Sequence, residues 1–148
     1  MAQLLYALQF KGRAQPANDA GSVLKAATSS PSSAITTNVG SSGVETSIAA
    51  IPGETARFES TVTMLDGGGF NEEGSISFGA GNTLRFTTVG RGTLGPSADP
   101  KLSTGAVIWQ IAGGEGQFKG ASGYITSNFS VSDQGDVVDN QFGVIYTP

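Results

Sequence analysis

From Gly113 to Gly123 the chain reads Gly-Gly-Glu-Gly-Gln-Phe-Lys-Gly-Ala-Ser-Gly. Runs rich in apolar, β-branched and aromatic residues flank this stretch, residues 106–111 before it and 124–131 after it. Glycine lacks a Cβ, so it adopts positive φ without strain and lets a second backbone approach closely. A glycine-dense corner between two such runs therefore marks a tight reversal between paired strands. Few folds tolerate that arrangement, and a small antiparallel barrel is the simplest.

The rest of the chain agrees. Short runs rich in Val, Ile, Thr and Phe alternate with glycine-rich turns, and helical periodicity is nearly absent. Strands are expected over residues 3–11, 21–28, 43–51, 55–65, 74–79, 83–91, 106–112, 124–132 and 137–146. Residues 66–69, 79–82 and 133–136 carry the Asp, Asn and Gly chemistry of hairpin or bulged-hairpin turns. Residues 29–33 read as a Ser/Thr-rich connection. Residues 92–101 are long for a hairpin, and read either as a lid over a binding site or as a plain crossover. Roughly eight or nine strands joined by short turns favour an all-β, closed antiparallel barrel, because closure removes edge strands. A β-sandwich is the competing architecture. At 148 residues with no internal repeat, one domain over 1–148 is expected.

Composition narrows the chemistry by subtraction. There is no cysteine, which removes disulfides, thiolate nucleophiles and Cys-ligated metal sites. There is no histidine, which removes the Ser-His-Asp triad and the one side chain that titrates near neutrality without tuning. Acid–base work then falls to a carboxylate, a tyrosine, a lysine or water, and neither cofactor nor metal is expected. Glu72, Glu73, Asp133, Asp136 and Asp139 do not follow the spacing of a calcium loop and read as solvated turn acids. A net charge of −4 with scattered basic residues gives no footprint for nucleic acid or an anionic membrane. Residues 1–11 read as a strand rather than a signal peptide, so a cytoplasmic location is expected.

The segment Trp109-Gln110-Ile111-Ala112-Gly113-Gly114-Glu115-Gly116-Gln117-Phe118, followed by Lys119-Gly120-Ala121-Ser122-Gly123-Tyr124, resembles the glycine corner of the allene oxide cyclase-like barrels, a group that includes the plant dirigent proteins. A looser similarity in strand order extends over residues 58–131. The resemblance implies an eight-stranded antiparallel barrel around an apolar cavity. Some members of the group fold a flexible substrate into one cyclised stereoisomer, and others steer the coupling of radicals made elsewhere. No pocket carboxylate of the family aligns with this chain, so none is carried over.

The residues themselves offer two sets of candidates. Glu59 and Arg85 sit mid-strand. Inside a cavity, a desolvated Glu59 would act as general acid or base and Arg85 would orient a developing oxyanion. On the outside they form an ordinary surface pair of little consequence. Tyr6, Trp109, Tyr124, Asn128 and Gln141 suit the wall of a substrate pocket that is mainly apolar with a few orienting polar groups. Trp109 and Tyr124 serve equally well as core filling. The expected function is a cofactor-independent cyclase or isomerase acting on a small hydrophobic substrate. The alternative is a non-catalytic carrier or dirigent-like barrel that binds such a molecule. Apolar residues on both faces of several strands lead us to expect a homodimer or homotrimer.

Overall fold

Period-two patterning sets the architecture. The computed structural model, which describes residues 1–148, contains eleven strands, and inward and outward residues alternate along those of the barrel. They are β1 (Ala2–Pro16), β2 (Val23–Ser30), β3 (Ser33–Gly40), β4 (Gly43–Ala50), β5 (Ala56–Met64), β6 (Gly69–Phe78), β7 (Thr83–Thr88), β8 (Gly92–Pro96), β9 (Leu102–Glu115), β10 (Ser122–Ser132) and β11 (Asp136–Thr147). Eight of them close a barrel in the order β1-β2-β5-β6-β7-β9-β10-β11, with β11 returning to β1 and every pairing antiparallel. The expected closed barrel is therefore present, and the sandwich is not.

The segment expected to be a long loop contains β8. This strand pairs with Gly69 and Phe70 of β6 on one side and with residues 103–106 of β9 on the other. It takes over the place of β7 at one end of the barrel, so β7 and β8 are two pieces of one wall strand broken at Val89-Gly90-Arg91. Gly90 turns the break with φ 66. The short strand was hidden because Gly92, Gly95 and Pro96 carry a turn signature. Only Ser97–Lys101 remains as a connection, and it borders the barrel's mouth.

The glycine corner forms as read. A single 3-10 turn over Gly116–Phe118 joins β9 to β10, and Phe118 folds back into the core. Between Leu84 and Phe86 of β7 the ladder to β9 slips by one residue, opposite Gly113 at φ 95.

At three glycines the aromatic residue directly across the ladder lays its ring over the missing side chain: Tyr6 over Gly143, Phe70 over Gly92, and Phe129 over Gly105. A Cβ at these positions would sit 2.1, 2.2 and 2.6 Å from the respective ring. Each ring thus lies flat against the wall over its glycine. This arrangement keeps the ring out of the lumen.

Two regions follow. One end is packed solid by Phe10, Phe58, Phe86 and Trp109, with Phe86 and Trp109 ring centres 4.4 Å apart and Phe58 stacked on Phe86 at 5.4 Å. Ile76, Leu84, Ile125 and Ile145 complete this core. The other end is hollow. Outside the barrel, β3 and β4 form a separate hairpin arm in which nearly every residue is exposed. The sequence reading gives only its second strand, because β3 runs straight on from the Ser-rich connection at residues 29–33 and merges with it.

Candidate functional site

The hollow end holds a cavity of about 360 Å³. Phe58, Val62, Met64, Phe70 and Phe129 make its apolar walls, and Ser97, Lys101, Ser132 and Asp133 stand at its rim. Two carboxylates project into it, Glu72 from β6 and Asp139 from β11, only 8% and 5% exposed.

Glu72 points inward because β6 alternates Phe70, Glu72, Gly74, Ile76 against Asn71, Glu73, Ser75, Ser77. It lies beside the break between β7 and β8, where β6 loses its regular partner. The Thr88 hydroxyl repairs the ladder there. It accepts from the Glu72 backbone N–H and donates to the Glu72 carbonyl, both at 2.7 Å. The Ser60 hydroxyl donates to one carboxylate oxygen of Glu72 at 2.6 Å. The buried indole N–H of Trp109 also faces this carboxylate and favours its charged form, without closing a hydrogen bond of normal geometry. Burial dominates nonetheless, and the negative charge of Asp139 adds to it. The Glu72 carboxyl is pushed up from 4.5 to about 7.

Asp139 is held differently. Both of its oxygens are occupied, one by the Ser127 hydroxyl at 2.6 Å and the other by the Gln141 amide at 2.8 Å. The Gln141 carbonyl in turn accepts from the Tyr6 hydroxyl at 2.9 Å, which fixes the amide's orientation. Burial raises the Asp139 pKa, while these two hydrogen bonds oppose the rise. Tyr6 is raised well above its usual range by burial and by the nearby Asp139 charge, so it stays a hydroxyl donor. The pair is thus asymmetric. Asp139 is braced on both oxygens as the charged member, and Glu72 is poised to gain or lose a proton near neutrality.

The placement of the sequence candidates divides them. Glu59 and Arg85 are corrected from the cavity to the outer wall, where both are exposed. Arg85 pairs with Glu115 at 3.7 Å and not with Glu59. Tyr124, 54% exposed, and Asn128 also lie outside. Tyr6, Trp109 and Gln141 face inward, but as support for the carboxylates rather than as the cavity's lining. Of the five acids read as turn residues, Glu72 and Asp139 are inside, and Glu73, Asp133 and Asp136 are exposed. Asp136 pairs with Arg13 at 3.1 Å.

Glu72 escaped the sequence reading because its strand was started at residue 74, which left it in a turn. Extending the alternation back to Phe70 would have found it. Asp139 was harder. In β11 the outward series Val138, Phe142, Val144, Tyr146 is more apolar than the inward series, so hydrophobic pattern points the wrong way.

No protein-family model matches the sequence, and no curated protein matches it. Among solved structures, the fold is similar to that of the pterocarpan synthase dirigent protein GePTS1, with a TM-score of 0.51 at 17% sequence identity. The match covers 99% of this chain and 87% of that one.

Proposed function

We propose that this chain, a dirigent-like barrel in its fold, is a cofactor-independent cyclase or isomerase acting on a small hydrophobic molecule held in the hollow end. The observation that carries this reading is Glu72, a buried carboxyl shifted to about 7 beside the apolar walls of the cavity. A group with that pKa takes a proton from one substrate atom and returns it to another, leaving itself unchanged. Asp139 supplies a fixed negative charge, and the cavity restricts a flexible substrate to the shape that reacts. A pure carrier of apolar molecules has no use for two desolvated carboxylates, since their burial weakens the fold. The neighbour that shares this fold is a pterocarpan synthase by its description, so a barrel of this fold can serve a synthase. Native mass spectrometry of the purified protein against a library of small lipophilic molecules, followed by product analysis, tests the reading. Conversion by the wild type but not by Glu72→Gln is the expected result. Captured ligands that stay unaltered through long incubation would favour the carrier.

Self-association is the second part of the reading. The outer wall formed by β2, β5, β6 and β7 carries Lys25, Arg57, Glu59, Glu73 and Arg85, all exposed. The opposite wall, formed by β9, β10, β11 and β1, carries none in its central rows. There Ile108, Thr126, Phe142 and Ala7 make one continuous row, with Ile108 48% and Phe142 49% exposed. The arm leans over this row through Ile35 and Ile48, leaving a slot of about 720 Å³. A chain of net charge −4 associates with itself most easily through a surface low in charge, and Arg91 is the one charged residue lining the slot. Four strands with about four outward residues each, plus the arm, approach the 20–30 residues that a stable interface uses on each side. Sedimentation of the wild type as a dimer or trimer, and of Phe142→Glu as a monomer with an unchanged circular dichroism spectrum, is expected. A monomeric wild type at about 100 μM, a concentration far above the Kd of a specific oligomer, would remove this part.

A further inference from the structure

Inside the barrel almost every polar side chain has a partner. Ser60 is bound to Glu72, Ser127 and Gln141 to Asp139, Tyr6 to Gln141, and Ser30 to the Pro31 carbonyl. The Trp109 N–H is turned to Glu72. Apart from that N–H, which faces Glu72 without closing a hydrogen bond, Thr28 is the buried side chain left without a partner. It lines the cavity, it is 7% exposed, and its hydroxyl has no hydrogen-bond partner.

The neighbours of Thr28 explain why no protein group answers it. Its ladder partners are Gly12 on β1 and Phe58 on β5. One has no side chain and the other offers a ring. A water there would find few of the two to four polar partners that buried waters use. Valine would fill the same shape without stranding a hydroxyl in an apolar place. An orphan hydroxyl facing a hollow therefore points to a ligand atom that satisfies it.

Position sharpens the idea. Thr28 lies five residues inside β2 from the mouth end, against Phe58 at the top of the packed aromatic core. The rim carries Lys101 and Asp133, and the two carboxylates stand on the walls. Thr28 thus offers an O–H donor at the floor of a cavity whose other buried charges are acceptors. Resting on the reading of the hollow as the ligand site, we propose that Thr28 anchors the leading end of the ligand, and that this end carries an acceptor oxygen of the carbonyl type on an apolar, ring-sized body. Thr28 is a positioning and specificity residue in this scheme. It holds the molecule so that its middle lies against Glu72.

The test uses two probes of the same shape, α-tetralone and tetralin, which differ in one carbonyl. Their binding to the full chain is measured by calorimetry for the wild type, Thr28→Val and Thr28→Ser. The expected result is that the wild type prefers the ketone. Thr28→Val should lose about tenfold in ketone affinity, equivalent to about 1.4 kcal/mol, with the hydrocarbon unaffected, and Thr28→Ser should restore the preference. The ligand-free Thr28→Val protein should also melt about 3 °C higher, because it no longer buries an unsatisfied hydroxyl. Equal loss of both probes, or an unchanged ketone preference in Thr28→Val, would overturn the role of Thr28 while leaving the cavity reading intact. A wild type that binds neither probe would count against the hollow as a ligand site and overturn both.

Discussion

The two ends of this barrel share seven of their wall strands, with β8 standing in for β7 at the hollow end, and put them to opposite uses. At the packed end, inward positions carry Phe10, Phe58, Phe86 and Trp109, whose rings contact one another at 4.4 to 6.0 Å. At the hollow end the inward positions carry Glu72, Asp139, Ser60, Ser127 and Thr28. There the aromatic rings of Phe70 and Phe129 are pressed against the wall over Gly92 and Gly105. One end supplies stability. The other gives some of it up to keep a cavity and two desolvated carboxylates, the usual relation between a scaffold and its site.

Mutations that trade one end against the other test this division. The largest effect is expected from Trp109→Ala, which empties the centre of the packed end and should lower stability by about 3–5 kcal/mol in urea unfolding. Glu72→Gln should act in the opposite direction. The folded-state pKa of Glu72, about 7, lies above the usual 4.5. Between those two values the folded protein holds a proton that the unfolded chain has released, so wild-type stability falls as pH rises through that window. At pH 8 the substitution should add on the order of 3 kcal/mol, and at pH 4 it should add almost nothing. Urea midpoints across that range would show the wild-type slope and its loss in the variant. Phe129→Ala, on the cavity wall and only partly buried, should cost about 1 kcal/mol. That is a fraction of the Trp109 effect for a comparable loss of ring. Smallest of all, Glu59→Ala and Arg85→Ala on the solvent face should each change stability by less than about 0.5 kcal/mol and leave turnover untouched. A large activity loss in either would return those residues to the site.

The sequence made the strands and turns, and through them the expectation of a closed barrel, legible because alternation and turn chemistry are local rules. Turn glycines, alternating Val, Ile and Phe, and the corner from Gly113 to Gly123 each carry their meaning within a few residues. The packed end was not legible, since Trp109 read equally as pocket wall and as core filling. The hollow end was less legible. Glu72 became visible as an inward residue only once its strand was extended back past Gly74 to Phe70. The interruption beside it depends on the Thr88 side chain repairing the ladder between β6 and β7, which no turn or alternation signal announces. Asp139 was masked by the apolar outer face of β11, where Phe142 and Tyr146 imitate a core. In the arm neither strand buries a face, and β3 merges in sequence with the Ser-rich connection before it, so only β4 was legible.

The account turns on Glu72 being a carboxyl removed from water yet able to exchange its proton near neutrality. A carboxyl-carbon NMR titration of that residue in the folded protein measures this directly. A midpoint near 7, moving downward in Asp139→Asn as the neighbouring charge is removed, is the predicted result. A midpoint near the ordinary 4.5 would contradict it, because Glu72 would then be a solvated carboxylate and the hollow would lack its acid–base group.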